Sequence, residues 1–422
     1  MPAERAILVT VHLDPRFYRK SRQWPIEDEA RELTELAVSS GCRVVGDVRA
    51  NRHEPVAATF LGEGKLEEIA EQVKQLNAQV VIFNNELSPA QQRNIEEAVG
   101  TKTIDRTQLI LDIFAQRAKS REGKVQVELA QLRYVLPRLT GKGVMLSRQA
   151  GGIGTRGPGE QKLEVDRRKI RQRITRLETE LKQLGRRREA TRAKRRETEV
   201  PVAALVGYTN AGKTTLLNRL TGEASTARNQ LFTTLDPLAR RARLPSGEWI
   251  VVTDTVGFLH HLPHGLIEAF KATLEEARDA AVLLHVLDAS DPMIIEHVEA
   301  VDQVLKELDL EAKPRITVLN KQDQMSDRGV LAGFEWQYKP AVSISAKTGE
   351  GMERLHELLR GQLALQQLEI FQLRVPTNRQ DLVPILYQEG QVLRQDDVDG
   401  GTELTVRLPA PMKSLVSPYL LS

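Results

Sequence analysis

The segment Gly207-Tyr208-Thr209-Asn210-Ala211-Gly212-Lys213-Thr214 constrains the fold of this chain more than any other. It follows the apolar run 202–206 and precedes a helix-like segment at 215–220. Glycines allow the backbone to curl so that successive N–H groups point at phosphate oxygens, and the helix N-terminus adds partial positive charge. The pattern therefore predicts a strand, a phosphate-binding loop and a helix, in that order. Residues 207–214 are named the phosphate loop below.

Three residues at the end of the phosphate loop have predicted places in a nucleotide site. Lys213 can reach the β- and γ-phosphates, the Thr214 hydroxyl can ligate Mg²⁺, and Thr215 begins the helix. A glycine-containing surface turn is the alternative interpretation, and the flanking strand and helix argue against it. The loop alone predicts a nucleotide without specifying its base.

Two later segments, named the base loops, indicate the base. Asn320-Lys321-Gln322-Asp323 follows the strand-like run 316–319, and Ser345-Ala346-Lys347 follows the run 342–344. The Asp323 carboxylate can accept hydrogen bonds from both N1–H and the exocyclic amine of guanine. Adenine lacks this donor pair, so its binding would leave a desolvated carboxylate unpaired. Asn and Asp are ordinary turn formers, but two base loops in this order behind a phosphate loop predict GTP and GDP as ligands.

Two segments between these motifs are predicted to sense the γ-phosphate. Asp254-Thr255-Val256-Gly257 follows the strand-like run 250–253, which lets Asp254 hold the Mg²⁺ shell and Gly257 offer its N–H to the γ-phosphate. The segment 232–237 resembles a switch whose threonine closes onto Mg²⁺, and Thr234 is preferred to Thr233 by analogy with related sequences. Such segments order around the triphosphate and relax after hydrolysis. The candidate catalytic residues are Lys213, Thr234 and Gly257, and the candidate metal ligands are Thr214, Thr234 and Asp254.

Phe258 stands where many small GTPases place a glutamine that orients the attacking water. A phenyl ring cannot do this, so we expect slow intrinsic hydrolysis that a partner or an added ion accelerates. Asn210 has two open interpretations: a K⁺ ligand, as in some GTPases without that glutamine, or a residue that tolerates an unusual loop dihedral. The histidines His260, His261 and His264 fit a solvated helix better than a general base and receive no role.

Composition limits the remaining possibilities. The 422 residues suffice for about three domains. No apolar run approaches the roughly 20 residues of a membrane span, and the N-terminus lacks the apolar region of a signal peptide. Cys42 is the only cysteine, which excludes an internal disulfide and a cysteine cluster for a metal. We therefore expect a cytoplasmic protein.

The net charge of +3 conceals a strongly basic region. Residues 133–199 contain 20 Lys and Arg against 8 Asp and Glu, a balance of +12. Such a block indicates a polyanionic partner; a solvated linker is the alternative. Its only aromatic residue is Tyr134, so contact with the phosphates of folded nucleic acid is favoured over base stacking.

Part of the basic region has a heptad-like apolar seam, in which residues recur at spacings of seven, four and three: Leu163, Ile170, Ile174, Leu177, Leu181 and Leu184. The seam predicts a long helix that packs on a second helix or forms a short coiled coil. The segment 125–136 is one intramolecular partner, with Leu129, Leu132 and Leu136 on one face, and 186–199 is a possible return arm. A dimer stays open, although the short seam favours a monomer.

The glycine-rich segment 151–160 precedes this helix and contains G-x-G-x-x-G. We reject the dinucleotide-binding interpretation because no strand precedes it, Pro158 interrupts the turn, and the following helix is charged. The segment either presses its backbone against RNA or serves as a flexible connector.

The two ends of the chain show strand and helix patterns of their own. The strand-like runs 6–11, 43–48, 79–83 and 102–104 alternate with helical patterns, which predicts a small parallel α/β domain that docks a partner or faces RNA. Near the C-terminus, three strand patterns and one helix predict a small α/β subdomain with a hairpin turn at 397–401. The chain is predicted to divide into an α/β domain at 1–122, a basic helical segment at 123–199, a P-loop GTPase domain at 200–364 and an α/β subdomain at 365–422. The GTPase domain is predicted to have a mixed, mostly parallel sheet with helices on both faces.

The chain resembles the HflX family of ribosome-associated GTPases over nearly its whole length. The resemblance is carried by the motifs above, by the segments 261–264 and 288–292, and most specifically by the glycine-rich segment and basic helix before the GTPase domain. It implies binding to the large ribosomal subunit and its rRNA near the peptidyl-transferase centre. It further implies splitting or rescue of stalled or idle ribosomes, often under stress, with hydrolysis stimulated by the ribosome. Nucleotide-dependent rRNA remodelling, and a GTP-sensing module with incidental hydrolysis, are the alternatives.

Overall fold

The computed structural model describes residues 3–14, 24–139, 158–197, 200–222, 238–259, 276–366, 368–409 and 412–421. Several predicted residues lie outside these ranges: Thr233 and Thr234 of the switch segment, residues 151–157 of the glycine-rich segment, and the histidines at 260, 261 and 264.

The N-terminal region is a parallel α/β unit, as predicted. Its strands β1 (Arg5–Leu13), β2 (Arg43–Arg52), β3 (Val80–Phe83) and β4 (Lys102–Ile104) pair in the order β2-β1-β3-β4, with every pair parallel. The helices are α1 (Ile26–Ser39), α2 (Glu63–Gln75), α3 (Pro89–Val99) and α4 (Arg106–Arg117). Alternate residues of β1 face opposite sides of the sheet, so Leu8 joins one core and Ile7 the other.

The basic region and the residues just before it form a helical hairpin of α5 (Arg121–Arg138) and α6 (Pro158–Glu197). Leu177 is fully buried against Val125 and Leu129, with Ile174 and Leu181 beside it. The predicted intramolecular partner is therefore confirmed. The predicted return arm is wrong: residues 186–197 continue α6 in a single helix of 40 residues, because their Arg, Lys, Glu and Ala content favours continued helix over a turn.

The central domain is built on a six-stranded sheet of order β10-β9-β8-β5-β7-β6, in which only β6 is antiparallel to its neighbour. The strands are β5 (Val202–Val206), β6 (Leu238–Arg243), β7 (Trp249–Asp254), β8 (Val282–Asp288), β9 (Arg315–Asn320) and β10 (Ala341–Ser343). The helices are α7 (Lys213–Thr221), α8 (Ile294–Glu307), α9 (Arg328–Gln337) and α10 (Met352–Gln366). Buried clusters cover both faces of the sheet, which confirms the predicted mixed, mostly parallel architecture and brings the ends of five strands to one edge.

The C-terminal region is a three-stranded antiparallel sheet of order β11-β13-β12. Its elements are β11 (Leu368–Pro376), α11 (Leu382–Glu389), β12 (Gln391–Val398), β13 (Gly401–Pro409) and α12 (Lys413–Val416). Alternate strand residues such as Leu373 and Val406 pack on Leu386 of α11. Gly400 takes a left-handed conformation (φ 90°) in the two-residue turn between β12 and β13, within the predicted hairpin turn.

A search for membrane spans in the described part of the chain finds no helix that is both long enough and apolar enough to cross a bilayer.

Candidate nucleotide site

The phosphate loop connects β5 to α7 and has the curled backbone that its glycines predict. Gly207 and Gly212 have positive φ values of 150° and 94°. A Cβ at either position would lie 2.2 Å from another atom, the Val286 carbonyl oxygen or Asn320 Nδ2 respectively. Asn210 also has a positive φ of 63°, so it does tolerate the unusual dihedral, and a K⁺ role stays a prediction.

Lys213 is buried beneath the phosphate loop. Its Nζ donates hydrogen bonds to the carbonyl oxygens of Gly207 (3.0 Å) and Tyr208 (2.7 Å). Burial lowers the pKa of the Lys213 ammonium to about 8, opposed by the nearby Asp254 carboxylate. An anion in the loop would stabilise the charged ammonium and return its pKa toward the ordinary range.

Thr214 and Asp254 bring two oxygen ligands together at the ends of α7 and β7. The Thr214 hydroxyl donates to Asp254 Oδ2 at 2.8 Å, and Asp254 is completely buried. Hydroxyl and carboxylate oxygens suit Mg²⁺, which usually keeps waters and phosphate oxygens as its other ligands. The described ranges contain no cluster of three or more His, Cys, Asp or Glu residues that could hold a metal.

The segment after β7 is fastened to the phosphate loop. The Phe258 N–H donates to the Gly207 carbonyl (3.1 Å), and the Thr209 N–H donates to the Phe258 carbonyl (2.8 Å). The Phe258 ring is buried in the core with Val206 and Val301. Its backbone therefore contacts the phosphate loop, while its side chain is part of the core.

The side-chain amide of Asn320 holds the loops of the site together. Its Nδ2 donates to the Ala211 carbonyl (2.8 Å), and its Oδ1 accepts from the Ala346 N–H (2.9 Å). One buried amide thus ties the phosphate loop to both base loops. Asp323 lies on a short 3₁₀ turn (Gln322–Gln324) and is exposed, as a carboxylate that reads a base must be.

The other base-loop residues are held from neighbouring elements. Lys321 Nζ lies 2.5 Å from Asp288 Oδ2, and Ser345 Oγ accepts from the Thr348 N–H at 3.1 Å. Arg219 of α7 donates to the carbonyls of Ala346 (3.1 Å) and Lys347. Arg219 is not predicted for this role from the sequence, because an exposed arginine on a helix carries no local signal for it.

Three further predicted nucleotide contacts occupy different surroundings. The Thr255 hydroxyl donates to the Leu205 carbonyl at 2.7 Å, and Val256 packs into the core shared with the N-terminal domain. Thr215 lies in the first turn of α7 and is partly buried. Only the backbones of Thr255 and Val256 remain for a nucleotide, and all three contacts stay predictions.

The side chain of Tyr208 leaves the phosphate loop and enters the N-terminal domain. Its hydroxyl donates to Glu32 of α1, and Arg106 Nη2 of α4 lies 2.6 Å from the same carboxylate. The ring stacks on His297 of α8, with centroids 3.8 Å apart, beside Trp24. This contact is not predictable from the sequence, since no local pattern links residues 176 positions apart.

Comparison with known proteins divides the chain into four matched regions. Residues 27–115 match "GTP-binding GTPase N-terminal", 117–195 match "GTP-binding GTPase Middle Region", 202–321 match "50S ribosome-binding GTPase", and 336–414 match "HflX C-terminal domain".

Two curated relatives match along almost the whole chain. GTPase HflX of Caldanaerobacter subterraneus subsp. tengcongensis is 44% identical over 99% of this chain and 94% of its own length. GTPase HflX of Escherichia coli K12 is 43% identical over 96% and 94%. Among solved structures, a GTP-binding protein of Sulfolobus solfataricus in complex with GDP is 24% identical, covers 85% of this chain and 98% of that chain, and has a TM-score of 0.45.

The phosphate loop, the Thr214–Asp254 pair and the two base loops meet at one edge of the central sheet, and the curated relatives match over nearly all of the chain. The chain belongs to the HflX family of GTPases.

Proposed function

We propose that this GTPase binds the large ribosomal subunit and, in its GTP state, splits or rescues stalled or idle ribosomes. Hydrolysis is stimulated by the ribosome and drives release. The matched family description "50S ribosome-binding GTPase" supports the partner. The observation that carries the proposal is the charge on the helical hairpin.

The hairpin separates its two kinds of basic residue. One kind fastens α5 to α6 through pairs with carboxylates, such as Arg173 with Glu128 (2.7 Å) and Arg188 with Glu122 (2.6 Å). The other kind lies on the side of α6 away from Leu177 and forms the outer basic stripe: Arg168, Arg171, Lys182 and Arg186, all exposed. None of these four forms an ion pair with another described residue. Their charge is therefore available to phosphates.

The length of α6 suits contact with a distant part of a large partner. The 40 residues of α6 extend about 60 Å at 1.5 Å per residue, well beyond the 18 residues of α5. The middle of the seam, at Ile174, Leu177 and Leu181, packs on α5 of the same chain, which supports a monomer. A ribosomal partner also implies a cytoplasmic location. The division at 1–122, 123–199, 200–364 and 365–422 is part of the proposal.

The nucleotide site supplies the proposed switch. Lys213 would contact the β- and γ-phosphates, and Asp323 would read guanine. Thr214, Asp254 and Thr234 would hold Mg²⁺, which neutralises developing charge on the phosphates, and Asn210 offers an oxygen for K⁺. The buried position of Phe258 supports the expectation that the protein alone hydrolyses GTP slowly.

Sedimentation with ribosomes tests the proposal directly. The full chain is incubated with large subunits and with 70S ribosomes in GTP, GDP or a non-hydrolysable analogue, and single-turnover hydrolysis is measured with and without large subunits. We expect cosedimentation and subunit separation in the GTP-like state, and faster hydrolysis on the large subunit. Absence of stimulation by ribosomes would reject the proposal.

A charge-matched pair of variants tests the outer basic stripe. Arg171, Lys182 and Arg186 are changed to Gln together, and a control changes three exposed basic residues elsewhere: Lys306, Arg360 and Arg407. The stripe variant should bind large subunits more weakly and reduce the salt slope of log K by roughly 2–3. Equal behaviour of both variants would show that net charge alone matters.

A further inference from the structure

The residue Thr209 occupies the corner where the phosphate loop meets the segment after β7. Its N–H is bonded to the Phe258 carbonyl at 2.8 Å. A Cβ built on Gly257 would lie 2.8 Å from Thr209 Cγ2, 2.9 Å from Thr209 Cα and 3.0 Å from Lys213 Nζ. The Thr209 methyl carbon and the Lys213 ammonium therefore both lie beside Gly257, and the Thr209 hydroxyl is bonded to the same Cβ as that methyl carbon.

The Thr209 hydroxyl lacks a hydrogen-bond partner among the residues that the structure describes. Its oxygen is buried, and the residue as a whole is 7% exposed. A buried polar group without a partner carries a free-energy cost. Such a cost is offset when a ligand or a bound water supplies the missing bond, and the phosphate loop is the part of this protein that receives a ligand.

The chemistry of hydrolysis provides a use for a hydroxyl at this corner. The oxygen of the attacking water forms a bond to the γ-phosphorus while the bond to the β–γ bridging oxygen breaks. GDP leaves with that electron pair, and a proton of the water passes to the phosphate. A threonine hydroxyl can donate one hydrogen bond and accept others, so it can hold both a γ-phosphoryl oxygen and the water. The buried Phe258 ring can hold neither.

We propose that Thr209 is a positioning residue for GTP hydrolysis, whose hydroxyl orients the attacking water against the γ-phosphate. It partly replaces the glutamine that Phe258 displaces. The role concerns the hydrolysis that the GTPase family establishes and does not depend on a ribosomal partner, so it is tested with the full chain alone.

Three variants separate the hydroxyl from the shape of the side chain. Thr209→Val removes the hydroxyl and keeps the branched shape, and Thr209→Ser keeps the hydroxyl and removes the methyl group. Thr10→Val is the matched control, because Thr10 is also buried with its hydroxyl unpartnered among the described residues, but lies in β1 of the N-terminal domain. Each is assayed by single-turnover GTP hydrolysis and by the Kd for GDP.

The proposal expects Thr209→Val to lower the single-turnover rate about 10²- to 10³-fold, the range for loss of one transition-state hydrogen bond. Its Kd for GDP should stay within about twofold of the parent, because the contact is made only during hydrolysis. Thr209→Ser and Thr10→Val should hydrolyse GTP within about threefold of the parent. A normal single-turnover rate for Thr209→Val would overturn the proposal. Equal losses of rate in Thr209→Val and Thr209→Ser would also overturn it, because the side chain of Thr209 would then act through packing alone.

Discussion

Gly257 is a residue of the nucleotide site at which there is no room for a side chain. An added Cβ would contact Thr209 and Lys213 Nζ at 2.8–3.0 Å, closer than carbon and nitrogen atoms pack without displacement. Thr209 cannot withdraw easily, because its backbone is bonded to the Phe258 carbonyl. The segment after β7 must therefore move away if residue 257 gains a side chain.

We predict that Gly257→Ala weakens the response to the γ-phosphate and leaves GDP binding largely intact. Displacement of the 257 backbone would remove its N–H from the γ-phosphate, and loss of one such donor costs about 10²- to 10³-fold in rate. The Kd values for GDP and for a non-hydrolysable GTP analogue, with single-turnover rates, measure this. Gly333→Ala is the control, because a Cβ there meets nothing within 4 Å. Equal losses of GDP and GTP affinity would contradict the prediction.

Glu29 gives the N-terminal domain a pH dependence. It lies on α1, with Asn84 Nδ2 donating to its Oε2 at 3.1 Å and His12 Nδ1 3.7 Å from its Oε1. Desolvation raises the pKa of the Glu29 carboxyl to about 7, with Glu32 adding to the shift and Arg106 opposing it. Between pH 4.5, the ordinary pKa of a glutamate, and about pH 7, Glu29 holds a proton in the folded protein that it has released in the unfolded chain. The stability from Glu29 is thus present at low pH and is lost as the pH rises toward 7.

We predict that Glu29→Gln stabilises the protein increasingly as the pH rises from 5 to about 7, and that the gain levels off between pH 7 and pH 8. The amide keeps an oxygen for Asn84 and has no charge to desolvate, so the gain should grow by at most about 1.4 kcal/mol per pH unit. Melting temperatures of parent and variant across this range measure it, with the exposed Glu27→Gln on the same helix as control. A Glu29→Gln difference that is independent of pH would contradict the assignment.

At the residue scale, the sequence predicts roles that depend on neighbouring residues, but it does not predict contacts between residues far apart along the chain. The phosphate loop and Asp254 were predictable because their roles depend on neighbouring residues and on the end of one strand. Asn320 was assigned to the base, yet its amide bonds Ala211, 109 positions away. That contact exists only because β5, β8 and β9 lie side by side in the sheet, which the sequence pattern does not encode.

The helical hairpin shows what an apolar seam can and cannot predict about an element. The seam identified the buried face of α6 because its residues recur at helical spacing. It could not fix where the helix ends, because residues 186–197 are polar and good helix formers that extend α6 without needing an apolar partner. Leu177 carries the contact with α5, while the ion pairs lie at its exposed margins.

We predict that Leu177→Ala loosens the hairpin and that Arg173→Ala does not. Truncating a fully buried leucine costs about 2–5 kcal/mol, whereas an exposed ion pair is worth at most about 1 kcal/mol. Hydrogen exchange of α5 and α6, followed by mass spectrometry, should show faster exchange in both helices for Leu177→Ala alone. Comparable acceleration in Arg173→Ala would show that the ion pairs, and not the seam, hold the hairpin.

At the scale of the whole molecule, the N-terminal and nucleotide domains share one buried core. Tyr208, Val256 and Leu259 belong to the same cluster as Trp24 and Leu33. Tyr208 lies within the phosphate loop, and Val256 directly precedes Gly257. The position of the N-terminal domain is therefore fixed by side chains whose backbones belong to the candidate nucleotide site.

Glu32 is the polar centre of this interface. It accepts from the Tyr208 hydroxyl and pairs with Arg106, whose side chain is 7% exposed. Removing one partner of a buried ion pair costs about 3–5 kcal/mol because the other charge stays desolvated. Removing only the Tyr208 hydroxyl leaves that pair in place and costs about 1.5–3 kcal/mol.

We predict that Glu32→Ala frees the N-terminal domain from the phosphate loop, and that Tyr208→Phe does so to a smaller extent. Hydrogen exchange in α1 and the radius of gyration from small-angle X-ray scattering should both rise in the order parent, Tyr208→Phe, Glu32→Ala. Glu35→Ala is the control, since Glu35 is exposed on the same helix one turn further along. If Glu32→Ala matched the control, the apolar core would be sufficient for docking. The predicted order instead requires that the buried carboxylate joins Arg106 of one domain to Tyr208 of the other.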